Sequence, residues 1–324
     1  MSVASTSAPE AQPGLDAPVP GDGRPSRPAG PLPPRRDASP GTLVRLTAGT
    51  FVIIISVCLL GFAVWLAFGS RWYYDRAQFD TYESFRASLA LATAPTGPTS
   101  PANAKQLLGE GQPVAVLKIP QIGLNAVVFQ GTTSQILESG PGHLRDTPMP
   151  GQPGASVIYG RRAAYGAPFA GLGSLAPDEQ FTVTTGQGVA TYEVLDIRRA
   201  GDPAPPALAA GQGRLVLATA DGDPFDPSGV LWVDASLVST PFQAPTMILS
   251  PASLSPTENP LATEPLAWVP VVLWGQALLI LAAIIGYLWQ SWGKWQAWII
   301  AVPVLCYFAI NVANEIARLL PNMM

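Results

Sequence analysis

Three uncharged apolar runs limit what this chain can fold into: Leu46 to Phe68, Pro265 to Trp289 and Trp295 to Val312. At ~1.5 Å per helical residue the first is about 34 Å long, enough to cross a hydrocarbon layer of about 30 Å. The last two are separated only by Gln290 to Lys294, so they read as a transmembrane hairpin. Three membrane helices are therefore expected, at 46–69, 265–289 and 296–313, with a turn at 290–295 and a tail at 314–324. The 45 residues before the first run exceed an ordinary signal-peptide start, and Ala67, Phe68 and Gly69 make a poor cleavage site. A retained signal anchor is the expectation.

Orientation follows from weaker signals. Arg35, Arg36 and Arg45 flank the first run on one side and Arg71, Arg76 and Arg86 on the other, but Asp75, Asp80 and Glu83 accompany the second set. With Lys294 in the hairpin turn, this favours a cytoplasmic N-terminus and an external middle of the chain. Trp72, Tyr73 and Tyr74 would then belong to the outer aromatic belt and Trp289, Trp292 and Trp295 to the inner one. Neither hairpin helix holds an internal charge that would mark an ion path. A net charge of −4 and the lack of a dense basic cluster exclude nucleic acid as a partner.

Residues 1–45 hold ten prolines among Gly, Ser, Ala and Arg, too little apolar surface to offset ordering entropy, and read as a disordered cytoplasmic tail. Pro25 to Pro28 and Pro31 to Pro34 fit polyproline-ligand spacing; a solvated tail is the simpler reading. Residues 70–104 read as a juxtamembrane helix and linker, the helix presenting Trp72, Phe79, Tyr82, Phe85 and Leu89 on one face and ending by Pro95. A second Pro- and Thr-rich linker is expected at 241–264, and the two linkers would hold the folded part off the membrane.

Between them, residues 105–240 change to short β-rich runs bounded by Gly and Pro: 114–119, 126–129, 155–159, 181–185, 190–197, 214–219 and 230–237. That pattern predicts an all-β barrel or sandwich with one helix at Thr133 to Glu138, capped by Thr132 or Thr133 and stopped at Gly140.

Four runs inside this region occur in a recognisable order: LKIPQIGL at 117–124, GPGH at 140–143, PGQPG at 150–154 and YGAPF at 165–169. On them the segment resembles a sortase, of class E or a related actinobacterial type; Arg outnumbers Lys 15 to 3, which fits a GC-rich actinobacterium. The resemblance implies an eight-stranded β-barrel outside a bacterial plasma membrane. It also implies cleavage of a sorting signal of the LPxTG type through a cysteine thioacyl intermediate, followed by transfer to an amine. That chemistry uses a thiolate, a histidine that moves protons and an arginine that steadies the oxyanion.

None of the three stands at the place the resemblance gives it. The strand that carries the family's cysteine corresponds to Leu215 to Ala220, so Ala220 occupies the nucleophile's place. The histidine's place is taken by Arg161 and the arginine's by Val230, with one residue of play around Gly229. The two cysteines, Cys58 and Cys306, lie in apolar runs, where a thiolate is disfavoured and a small apolar role is expected.

The functional expectation is a membrane-anchored, multi-pass sortase-like pseudoenzyme with its barrel outside the cell, needing no cofactor and no metal. Its vestigial groove would comprise Arg161, Arg162, Thr219, Ala220 and Val230 and would bind or present sorting-signal peptides or cell-wall precursors. Arg161 and Arg162 are either a solvated pair or partners for a ligand carboxylate or phosphate. A second reading is an active transpeptidase with a non-cysteine nucleophile, Thr219 or Ser228 served by the single histidine, His143; against it stands a structural role for that ring. A third is an interaction protein that engages an envelope partner through its transmembrane hairpin. Asp221, Asp223 and Asp226 lack the spacing of an EF-hand and read as a solvated loop.

Overall fold

Alternation of inward apolar and outward polar residues puts the middle of the chain into strands, and their order closes a barrel. The computed structural model describes residues 56–57, 60–244, 249–291 and 294–324, which belong to one compact unit. The expected tail at 1–45, half of the first expected span and Cys58 lie outside the described residues. The elements are α1 (Ser70–Ala90), β1 (Thr99–Ser100), β2 (Asn103–Leu107), β3 (Pro113–Ile119), β4 (Leu124–Gln130), α2 (Ser134–Ser139) and β5 (Gly142–His143). Then come β6 (Gly154–Tyr159), β7 (Gln180–Thr185), β8 (Gly188–Arg198), β9 (Gly213–Asp223), β10 (Asp226–Leu237), α3 (Trp268–Ser291) and α4 (Lys294–Leu319).

The closed barrel runs β10-β8-β7-β3-β4-β5-β6-β9, with β9 returning to β10. Only β4–β5 and β6–β9 are parallel pairs. Leu117, Phe181, Tyr192, Leu215, Leu217 and Leu231 fill the interior, where the Phe181 and Tyr192 rings stack 5.8 Å apart. The run PGQPG at 150–154 wraps this core: Gly151 has φ 91° and its N–H donates to the Tyr192 hydroxyl at 2.6 Å. A side chain at Gly151 would strike the Phe242 ring.

Strand β9 is buried on both faces. Leu215 and Leu217 point into the barrel core, while Ala218 and Ala220 point outward into a second apolar cluster, as the two-residue period of a strand requires. Strand β10 faces it, and a bulge between Pro227 and Gly229 adds Ser228 without a partner, which sets the register beyond it.

Helix α1 continues a helical stretch at 60–64 through a π turn, Trp65–Gly69. Its buried face agrees with the expected one only in part: Phe85 is buried and Leu89 half-buried, but Trp72 and Phe79 are 72% and 69% exposed, Tyr82 is exposed, and Tyr74 is buried as well. A polar residue organises the contact. Strand β5 pairs with β4 only at Phe129 and Gln130, leaving the Val127 edge open. Gln78 supplies the missing peptide-like partner, its carboxamide oxygen accepting from Val127 N–H at 2.7 Å and its NH2 donating to Val127 O and Ser139 O at 3.2 and 2.8 Å. Helix α2 begins after Thr133 without a side-chain cap; the Thr132 hydroxyl instead donates to Glu258 O at 2.7 Å.

Among the described residues, two helices are long and apolar enough to cross a membrane, over Pro265–Ile285 and Ala301–Leu319. Helix α4 runs past residue 313, because Glu315 and Arg318 in its last turns pair with each other and Arg318 pairs with Glu264 at 2.6 Å. The cation also suits a helix C-terminus. Cys306, on α4, is exposed and free. The side chains of Trp289, Trp292 and Trp295 lie outside the described residues. The segment expected as a spacer at 241–264 packs on the barrel in its described parts: Phe242 joins the core, and the fully buried Glu258 takes two hydrogen bonds from Arg145.

Candidate functional site

The outward face of β9 is the floor of the site. On one side Val230 pairs with Ala220 and Trp232 with Ala218; on the other, Tyr159 of β6 pairs with Ala218. The Tyr159 and Trp232 rings therefore meet edge to face at 6.4 Å, leaving a shallow apolar seat around two alanines. Thr219, on the opposite face of β9, donates its hydroxyl to Gly160 O at 2.8 Å and so ties the end of β6 to this strand. Gly160 must be glycine here, since a Cβ would sit 2.5 Å from the Phe169 ring.

The five residues expected in a groove are thus neighbours, but the two arginines are not a solvated pair. Arg162 donates from Nη1 to Ala220 O at 2.9 Å and lies 3.5 Å from Asp221. Asp221, 3.3 Å from Arg199 as well, belongs to a β9–β10 hairpin rather than to an irregular loop. Arg161 is fully buried, and its Nη2 donates to the backbone and hydroxyl oxygens of Ser134 at 3.1 and 2.8 Å. Its guanidinium lies 4.8 Å from the Tyr165 ring centre and 3.7 Å from the Glu138 carboxylate. Burial pushes the Glu138 carboxyl up to about 7, against the pull of Arg161, and lowers the Arg161 guanidinium.

The seat is occupied from within the chain. Beyond α4, Asn322, Met323 and Met324 are buried, and Met323 packs with Leu137, Tyr159, Ala218 and Ala220. Met323 O accepts from Arg162 N–H at 3.0 Å and Met324 O from Arg161 Nη1 at 3.4 Å. Asn322 donates from its backbone to Ala262 O at 2.9 Å and from its amide to Thr132 O and Asn259 O at 2.9 and 3.0 Å. Burying a methionine stabilises by roughly 1.5–3 kcal/mol. Against this, Asn322 Oδ1, Arg161 Nε and Glu138 Oε1 are buried without a hydrogen-bond partner, each a cost of about 1–3 kcal/mol. These costs offset part of what the burial and hydrogen bonds of the segment contribute.

His143 sits elsewhere, on β5. Its ring nitrogens contact the Gln130 amide at 3.0 Å, Pro148 O at 2.9 Å and the Thr147 hydroxyl at 3.2 Å. Burial pushes its pKa down to about 4, so the ring is neutral and donates from one nitrogen only. Neither Thr219 nor Ser228 is among its partners, and the Thr219 hydroxyl is spent on Gly160. A nucleophile served by His143 is therefore not assembled here.

Glu138, Ser134, Asn322 and Met323 were not legible as site residues. A glutamate in a one-and-a-half-turn helix looks like any exposed carboxylate. The sole trace of the occupying segment is the pair of methionines after Pro321, apolar residues beyond the charged end of a membrane helix.

Comparison with known proteins relates the barrel to one family. The sortase domain family matches residues 117–229, inside the closed barrel. Sortase D of Bacillus subtilis (strain 168) is 32% identical over 85 residues, which cover 26% of this chain and 41% of that protein, so the match spans less than half of the relative's length. Among solved structures, the Clostridium perfringens sortase D5 transpeptidase covers 52% of this chain and 99% of its own at 20% identity and a TM-score of 0.41. A Clostridium perfringens sortase C solved with its C-terminal cell wall sorting motif covers 51% and 89% at 18% identity and a TM-score of 0.38. Over residues 117–229 the barrel matches the sortase domain family, and its closed eight-stranded architecture is the one that match implies. The family match covers this part of a chain whose described residues also include two helices fit to span a membrane.

Proposed function

We propose that this protein is a membrane-anchored, multi-pass sortase-like pseudoenzyme of the bacterial envelope, of class E or a related actinobacterial type. Its barrel stands outside the cell and binds or presents sorting-signal peptides or cell-wall precursors without cleaving them. One observation supports the reading: the ladder sets Val230 opposite Ala220 and Arg162, next to Arg161, donates to Ala220 O, and no thiol stands among the residues that the resemblance puts at the family's places. A methyl group there cannot attack a carbonyl, and an arginine held by Ser134 cannot accept a proton near neutral pH.

The test is a titration of a fluorescent Leu-Pro-x-Thr-Gly peptide into the full chain in detergent, with and without residues 321–324. Saturable binding in either form, with the peptide recovered intact, is the expected result. No binding by both forms up to the millimolar range overturns the proposal.

A further inference from the structure

We propose that residues 321–324 are a built-in, exchangeable occupant of the groove over Ala220, tethered to the membrane hairpin, and that an incoming extended peptide takes their place. The ligand part of this inference rests on the functional reading above; the covering of the groove does not.

Three observations carry it. The segment binds as a peptide ligand does: its backbone supplies two carbonyls, Met323 O to Arg162 N–H and Met324 O to the Arg161 guanidinium, while an unbranched apolar side chain fills the seat beside Ala220. Such backbone contacts accept any extended peptide with an apolar side chain at the same place. Next, the fit is incomplete. Arg161 Nε, Glu138 Oε1 and Asn322 Oδ1 are buried at this spot without partners, whereas a permanent strut would satisfy them. A ligand that also met these groups would compete with the segment for the site. Finally, α4 ends at Leu319 and only Leu320 and Pro321 separate it from Asn322. A displacement of α4 along its axis therefore draws directly on the segment. A partner that moves the hairpin would open the groove without touching the barrel.

The full chain carrying Cys58→Ser, Cys306→Ser and Ala220→Cys provides the test, through the rate at which a maleimide labels the new thiol. With residues 321–324 present, labelling is slow; without them it is faster by about tenfold or more, as for any group released from a protected site. Met323→Ala shifts the rate in the same direction by less. A retained thermal unfolding transition shows that the barrel is folded, and Met323→Ala and Met323→Asp serve as the readout if the shortened chain loses it. Equal rates with the segment present, shortened and substituted overturn the proposal. A peptide of residues 319–324 added to the shortened chain restores protection, and so does the Leu-Pro-x-Thr-Gly peptide. Protection by the first alone leaves the cover standing and removes the sorting signal as the ligand that replaces it.

Discussion

Two buried ionisable side chains pull the pH dependence of this barrel in opposite directions. His143 is neutral inside, pushed from the ordinary range near 6.5 to about 4, so the unfolded chain binds more protons between those values and stability falls as pH drops from about 6.5 to 4. Glu138 goes the other way: its carboxyl is raised from 4.5 to about 7, so the folded chain holds the extra proton and stability falls as pH rises from about 4.5 to 7. Each contribution is at most about 3 kcal/mol and the two windows overlap, so in the wild-type chain they largely cancel. Unfolding midpoints across pH 4 to 8 separate them. His143→Gln is expected to lose stability as pH rises through this window and Glu138→Gln to lose it as pH falls; parallel profiles for the two variants would contradict both assignments. The structural role of His143 was legible from its place in a GPGH turn. Glu138 was not, because burial of a single glutamate depends on what folds over it, here Arg161 and the segment beyond α4.

At the scale of elements, seven of the eight barrel strands were legible, because runs such as 181–185 and 190–197 alternate for long enough to show a period. Strand β5 has two residues and no period, and only the closed ladder reveals it. Helix α1 was legible in extent but only partly in its face, since apolar periodicity selected the exposed Trp72, Phe79 and Tyr82 along with the buried Phe85 and half-buried Leu89, while Gln78 organises the contact with the strand edge. A carboxamide that completes a strand edge leaves no hydrophobic signature. Replacing it with alanine strands the backbone groups of Val127 and removes the donor to Ser139, a cost of about 2 kcal/mol. Hydrogen exchange reports this directly: Val127 N–H is expected to lose protection in Gln78→Ala while strands β7 and β8 keep theirs. Unchanged protection at Val127 would show that α1 is not held this way. The neighbouring Gly140 belongs to the same contact, because a Cβ there would sit 2.2 Å from the Gln78 amide.

For the whole molecule, the chain combines a sortase-fold barrel with a hairpin of two helices fit to cross a membrane, and the residues joining them pack on the barrel instead of spacing it away. The composition of 241–264, rich in Pro, Ser and Thr, reads as a spacer because nothing in it announces the buried Glu258 or its bonds with Arg145. What was legible at this scale was an absence: no cysteine lies between residues 105 and 240. The structure adds what fills the space, an apolar seat between Tyr159 and Trp232 with Met323 in it. Whether that seat performs acyl transfer separates a binding protein from an enzyme. Intact-mass spectrometry of the purified full chain, with and without residues 321–324, after incubation with a Leu-Pro-x-Thr-Gly peptide and an amine acceptor reads this directly. The predicted result is an unmodified protein mass and an uncleaved peptide in both forms; an acyl adduct on the protein, or release of a Thr–Gly cleavage product, would contradict it.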